Sequence, residues 1–128
     1  MPLRVEISHE RRFVHVVARG RVTLKEMEAH FDQLVVENAL GYAKLFDATN
    51  LEPVYSEQDV LTMGARLSAY TANFDSGPLA VVGREEQVVG AFRRFVNISP
   101  SKRPARIFST EAKALAWLRL QPGGQTAV

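Results

Sequence analysis

Ala43-Lys44-Leu45-Phe46-Asp47-Ala48, followed after a connection containing Pro53 by Ser56-Glu57-Gln58-Asp59, is the stretch that decides the fold. A short, mostly apolar run between turn residues fits an interior parallel strand, both faces of which are covered. Thr49 to Tyr55 reads as a connection. Ser56 is a good N-cap, and Glu57 and Asp59 place negative charge where the helix dipole favours it. The helix that starts there can run to about Phe74, where Asp75-Ser76-Gly77-Pro78 breaks it. A strand followed by a helix at this spacing is half of a crossover unit, and its repetition builds a parallel sheet.

Upstream, Leu3-Arg4-Val5-Glu6-Ile7-Ser8 and Arg12-Phe13-Val14-His15-Val16-Val17-Ala18-Arg19 alternate apolar and polar with period two. His9 to Arg11 is short enough for a hairpin. After Gly20, Thr23-Leu24-Lys25-Glu26 is a capping box, and Leu24, Met27, Phe31, Leu34 and Val35 follow at helical spacing. That helix is expected to stop near Asn38, with Gly41 supplying a left-handed terminus. Downstream, Leu79-Ala80-Val81-Val82 is a buried strand. Gly83-Arg84-Glu85-Glu86 opens a helix with the stripe Val88, Phe92, Phe95 and Val96, ending before Asn97. Two prolines bracket the loop Ser99 to Pro104. Ala105-Arg106-Ile107-Phe108 is the last strand, and Ser109 or Thr110 caps a final helix.

The reading predicts an α/β domain over residues 1–120, a five-stranded mixed sheet with an antiparallel N-terminal edge strand, four helices, and a flexible tail over residues 121–128. Val14, Val16, Leu34, Leu45, Phe46, Leu67, Val81, Val82, Phe92, Ile107 and Leu115 are its expected core. A chain of 128 residues suits one such domain. It contains no cysteine, which excludes disulfides, thiolate metal sites and a cysteine nucleophile. No apolar run is long enough to span a bilayer, and the N-terminus lacks the apolar core of a signal peptide, so a cytoplasmic address is expected. Charge is uneven: residues 25–59 carry a net −6 and residues 84–106 a net +4, enough to steer partners.

The order of elements resembles the SpoIIAA-like, or STAS-like, proteins, whose fold is shared by CRAL-TRIO lipid carriers. Gly20-Arg21-Val22-Thr23, Lys44-Leu45-Phe46-Asp47, Leu79-Ala80-Val81-Val82-Gly83 and Thr110-Glu111-Ala112-Lys113-Ala114-Leu115-Ala116-Trp117-Leu118 carry the likeness, which spans Leu3 to Leu118. It implies a singly wound superhelix of strands and helices and no assured catalytic machinery.

No Gly-x-Ser-x-Gly elbow, phosphate loop or Gly-x-Gly-x-x-Gly is present, so no catalytic residue, metal or cofactor is expected. His9 falls in the hairpin turn, His15 inside a strand facing its neighbours, and His30 reads as a solvated helix residue. Asp47 ends a strand where α/β ligands bind, but its carboxylate can equally accept the N–H of Thr49 or Asn50 in a turn. Helix N-termini at Thr23, Ser56, Gly83 and Ser109 should open on one sheet edge, where Arg21 and Arg84 add positive charge for an anionic head group. Ser56 occupies the point at which the resemblance implies a switch serine. The Asp-Ser-x-Gly pattern is missing there, however, and two acidic neighbours would repel a phosphate, so this phosphosite candidate is also an ordinary cap.

From Val60 to Phe74 only Arg66 is charged. Leu61, Met63, Leu67, Tyr70 and Phe74 spread beyond one stripe, which predicts an apolar helix surface facing a ligand, a membrane or a second copy of the chain. Arg93 and Arg94, with Lys102 and Arg103 in the next loop, would supply a basic rim for an anionic surface. Nucleic acid is not expected, because no recognition motif accompanies the charge. Two functions follow from this pattern. The first is a non-enzymatic binding module for an apolar or lipid-like ligand, peripheral to a membrane and homodimeric. The alternative is a protein-interaction regulator of the anti-sigma-factor-antagonist type.

Overall fold

A computed structural model of the chain describes residues 2–71, 76–98 and 103–124. The elements run β1 (Leu3–Ser8), β2 (Phe13–Val22), α1 (Leu24–Val36), β3 (Ala43–Pro53), α2 (Glu57–Thr71), β4 (Leu79–Val82), α3 (Glu86–Ile98), β5 (Ala105–Phe108) and α4 (Glu111–Arg119). The five strands form one sheet in the order β1-β2-β3-β4-β5. Only β1 is antiparallel, pairing Leu3 with Ala18 and Ser8 with Phe13 across the hairpin. The remaining pairs are parallel.

Strand order determines where the helices go. Each parallel strand is added on the same side of its predecessor, so right-handed crossovers carry α1, α2 and α3 over a single face of the sheet. There α1 packs on α2 and α2 on α3. Among the described residues no strand follows α4, which folds back onto the opposite face against β3, β4 and β5. The alternation along each strand serves both layers. Val14 and Val16 pack beneath α1 with Leu34, while Ala43, Leu45, Ala80 and Val82 pack beneath α4 with Ala114 and Leu118.

Several boundaries move from their expected places. Thr49 to Pro53 is strand, not connection, because β2 continues to Val22 and pairs Arg19 to Val22 with Asn50 to Pro53. Between Val17 and Arg19 the partner strand advances from Asp47 to Asn50, so β3 carries one extra residue. Asp47 accounts for the bulge: its Oδ1 accepts the Thr49 N–H at 3.0 Å and the Thr49 hydroxyl at 2.6 Å. Gly20 takes φ +66°, a conformation few other residues adopt, just where the two strands resume pairing.

The end of α1 is a Schellman motif built on Asn38 instead of Gly41. Asn38 takes φ +55°, its N–H reaches the Val35 carbonyl, and the Ala39 N–H reaches Leu34. The first intrahelical bond of α3 runs from the Val89 N–H to Glu85, two residues beyond Gly83, and α3 continues through Asn97 to Ile98. Thr110, and not Ser109, caps α4.

Val14, Val16, Leu34, Leu45, Val81 and Val82 are buried as expected. Phe46, Phe92, Ile107 and Leu115 are only half-buried. Phe46 and Phe92 fall short because they border a cavity. The side chain of Leu67 lies outside the described residues, as do residues 99–102 of the bracketed loop and 125–128 of the tail. Within Gln121 to Gly124, the Gly124 N–H bonds the Gln121 carbonyl, and Gly124 is buried.

Candidate functional site

Between the sheet and the layer of α1, α2 and α3 lies a cavity of about 140 Å³. Its floor is Val16, Phe46, Ala48, Leu51, Leu79 and Val81 from the strands. Met27, Phe31 and Leu34 of α1, Val60 and Met63 of α2, and Val88, Ala91, Phe92 and Phe95 of α3 form the walls. Among the described residues, four polar side chains also reach it: His30, Lys44, Tyr55 and Arg103.

These four are not scattered. Lys44 is the second residue of β3 and pairs in register with Leu79 at the start of β4, while Arg103 precedes β5, so both cations sit at the N-terminal edge of the parallel strands. Tyr55 follows β3 at the other edge, and His30 lies midway along α1. The cavity therefore has a cationic end, a long apolar middle and a phenol at the far end.

Lys44 is 5% exposed, an expensive position for an ammonium unless it is hydrogen-bonded. Its Nζ donates to the carbonyls of Leu40 at 2.6 Å and Tyr42 at 2.9 Å. Burial, reinforced by the Arg103 guanidinium, pushes its pKa well below the usual lysine value. Arg103 donates to the Ser76 hydroxyl at 2.9 Å, and burial lowers its pKa to about 10. His30 is buried, and desolvation, with a smaller contribution from Lys44, lowers its pKa to about 4. The ring is thus neutral at pH 7, and its Nδ1 has no hydrogen-bond partner among the described residues. The Tyr55 hydroxyl is likewise buried and unpartnered, and burial followed by Glu26 and Asp59 raises its pKa, so it stays a donor.

The expected site residues fall elsewhere. Arg21, Arg84, Arg93 and Arg94 are all exposed and line no part of the cavity. The cations that do line it lie at the sheet edge opposite the helix N-termini. Leu61 and Met63 do not share a surface: Leu61 is 45% exposed on the outside of α2, whereas Met63 is buried in the cavity wall. Phe74 and the side chains of Leu67 and Tyr70 lie outside the described residues. Arg66, the one charged residue of the helix after its acidic first turn, bridges to α1 through Asp32 at 2.9 Å and Glu28 at 3.2 Å.

His30 is a buried cavity residue and not the solvated one expected. The signal was present, since Met27, His30, Phe31 and Leu34 form one stripe at helical spacing. Lys44 carried a similar signal as a lysine on the same strand face as Phe46 and Ala48. His15 lies on the α4 side, where its Nε2 comes within 3.6 Å of Glu111. Among the described residues no cluster of three or more His, Asp or Glu side chains could hold a metal. No helix among them is long and apolar enough to cross a membrane.

Ser56 is exposed and acts as a cap. Its hydroxyl accepts the Asp59 N–H at 3.0 Å, and the Asp59 carboxylate accepts the Ser56 N–H at 3.0 Å. Ser56→Ala is expected to lose about 1 kcal/mol in urea unfolding, and Ser56→Asp almost nothing, since aspartate caps equally well. Equal losses for the two variants would show that the cap contributes nothing specific.

No protein-family model matches the chain, and no curated protein matches it. Among solved structures it is similar to an uncharacterized protein of the DUF3478 family with a SpoIIAA-like fold from Shewanella loihica PV-4. The two share 23% identity and superpose with a TM-score of 0.57 over 91% of each chain. With its five-stranded sheet, lone antiparallel edge strand and four helices, the chain adopts a SpoIIAA-like α/β fold.

Proposed function

We propose that this protein is a non-catalytic binding module whose ligand, apolar or lipid-like in character, sits between the sheet and the α1–α3 layer. The observation that supports this reading is the cavity itself, lined by Phe31, Phe46, Met63, Phe92 and Phe95 in a layer that could otherwise have closed by packing. Protein interiors are normally filled to crystal-like density, and lining atoms that face a void lose contacts they would otherwise make. A ligand restores them. The polar groups of the site among the described residues are a buried lysine, an arginine, a neutral histidine and a tyrosine, which can orient a bound molecule.

Native mass spectrometry of the purified protein tests the reading. A bound small molecule is expected on the wild-type chain and is expected to disappear in Ala91→Phe, which projects a ring into the cavity from α3. Leu61→Glu, on the outer surface of α2, is expected to retain it. If instead a protein co-purifies while the cavity stays empty in all three, the regulator alternative replaces the binding module.

A further inference from the structure

We infer that the ligand is a small amphiphilic carboxylate, its carboxylate held by Lys44 and Arg103 and its apolar part, about the size of a benzene ring or a six-carbon chain, lying against Phe46, Met63 and Phe92. This rests on the binding-module reading and narrows it in two respects, charge and size.

Charge is the first. Two cationic side chains meet at one end of an apolar cavity, and no acidic side chain lines that cavity among the described residues. Lys44 has three N–H donors; two go to the Leu40 and Tyr42 carbonyls, leaving one. Its placement is also costly in a way a merely structural residue need not be. The Leu40 carbonyl already accepts the Gly77 N–H at 3.0 Å, so that oxygen does not require a lysine. The lowered pKa of Lys44 has the same origin, burial of its charge with the Arg103 guanidinium nearby. A carboxylate at this end would satisfy the remaining donor and offset the repulsion between the two cations, which a neutral head group could not do. A ligand lying along the cavity from that end would pass the His30 Nδ1, an unpartnered ring nitrogen, and approach the Tyr55 hydroxyl.

Size is the second. Engineered apolar cavities of roughly 150 Å³ admit benzene and little more. At about 140 Å³ this cavity is in that class, and a long acyl chain exceeds it. The strands beneath it are held on both sides by ladder hydrogen bonds, so the floor has little freedom to widen.

The test uses the wild-type protein and three probes: hexanoate, hexanol and palmitate, titrated at pH 7 while amide and methyl NMR resonances are followed. Hexanoate is expected to saturate with shifts at Lys44 and Met63, and to bind at least about tenfold more tightly than hexanol, a difference of about 1.4 kcal/mol. Lys44→Met is expected to abolish that preference while hexanol still binds, a change that loss of a purely structural lysine would not produce. Equal binding of hexanoate and hexanol by the wild type would overturn the charge assignment and leave the binding-module reading standing. Tighter binding of palmitate than of hexanoate would overturn the size assignment alone. If none of the three probes bound and Ala91→Phe changed nothing, the inference and the reading beneath it would fail together.

Discussion

Lowering the pH from 6.5 to 4 is expected to remove about 3 kcal/mol of stability through His30 alone. The unfolded chain takes up a proton at this imidazole near its ordinary pKa of 6.5, whereas the native state resists until about pH 4. Between those values the unfolded state holds more protons than the native one, so stability falls as pH falls. Above pH 6.5 both states are neutral, and the contribution is fully present. The cause is mainly burial, since a charged ring would sit in an apolar layer beside Phe31 and Phe46. Lys44 nearby adds repulsion. Urea unfolding of the wild type and of His30→Gln across this range separates the effect from the titration of surface carboxylates, which both proteins share. The two stability curves are expected to converge towards pH 4. Parallel curves would mean that the imidazole is protonated in the native state at little cost.

A loss near the upper end of the usual 2–5 kcal/mol range is expected for Leu45→Ala. Leu45 is 1% exposed in the central strand, paired with His15 on one side and Ala80 on the other. Its side chain meets Ala43, Ala80, Val82, Ala114 and Leu118 under α4. Three of those neighbours are alanines, whose methyl groups cannot reach into the space a leucine leaves. The strand itself is fixed by hydrogen bonds along both edges. The void therefore stays open, and the cost includes the cavity as well as the lost transfer free energy. Against a total of about 5–15 kcal/mol for a domain of this kind, the variant should unfold at much lower urea concentration with an unchanged slope. A loss below about 1 kcal/mol would show that α4 settles onto the sheet and closes the gap.

Much of the architecture was legible because local chemistry and tertiary packing agree. Period-two alternation from Leu3 to Arg19, a capping box at Thr23, an N-cap at Ser56, and short apolar runs between turn residues each act over a few residues. The misread boundaries come from long-range pairing. Nothing local marks Thr49 to Pro53 as strand, because its partner is Arg19 to Val22 and its register depends on a bulge closed by Asp47. Asn38, not Gly41, takes the left-handed terminus because the Schellman bonds are made one residue past the helix cap, and asparagine tolerates that conformation.

The site was legible only in part. The prediction of an apolar surface on the second helix mixed two faces, because a stretch whose one charge from Val60 onward is Arg66 gives little contrast between its sides. Met63 turns inward with Val60, Leu61 turns outward, and only the neighbouring helices distinguish them. The basic residues illustrate the same limit. Exposed Arg21, Arg84, Arg93 and Arg94 look no different in sequence from Lys44 and Arg103, yet only the last two reach the cavity.

By itself the sequence determined the class of fold, the number and order of its elements, and the absence of thiol chemistry, because periodicity, capping and composition are properties of neighbouring residues. The tertiary structure decided which sheet face each helix covers, and that the α1–α3 layer leaves a void. It also decided that Lys44, Arg103, His30 and Tyr55, far apart along the chain, converge on that void. The physical reason is that burial and charge proximity are relations across the sheet, and a handed chain of crossovers fixes them only once every strand has found its partner.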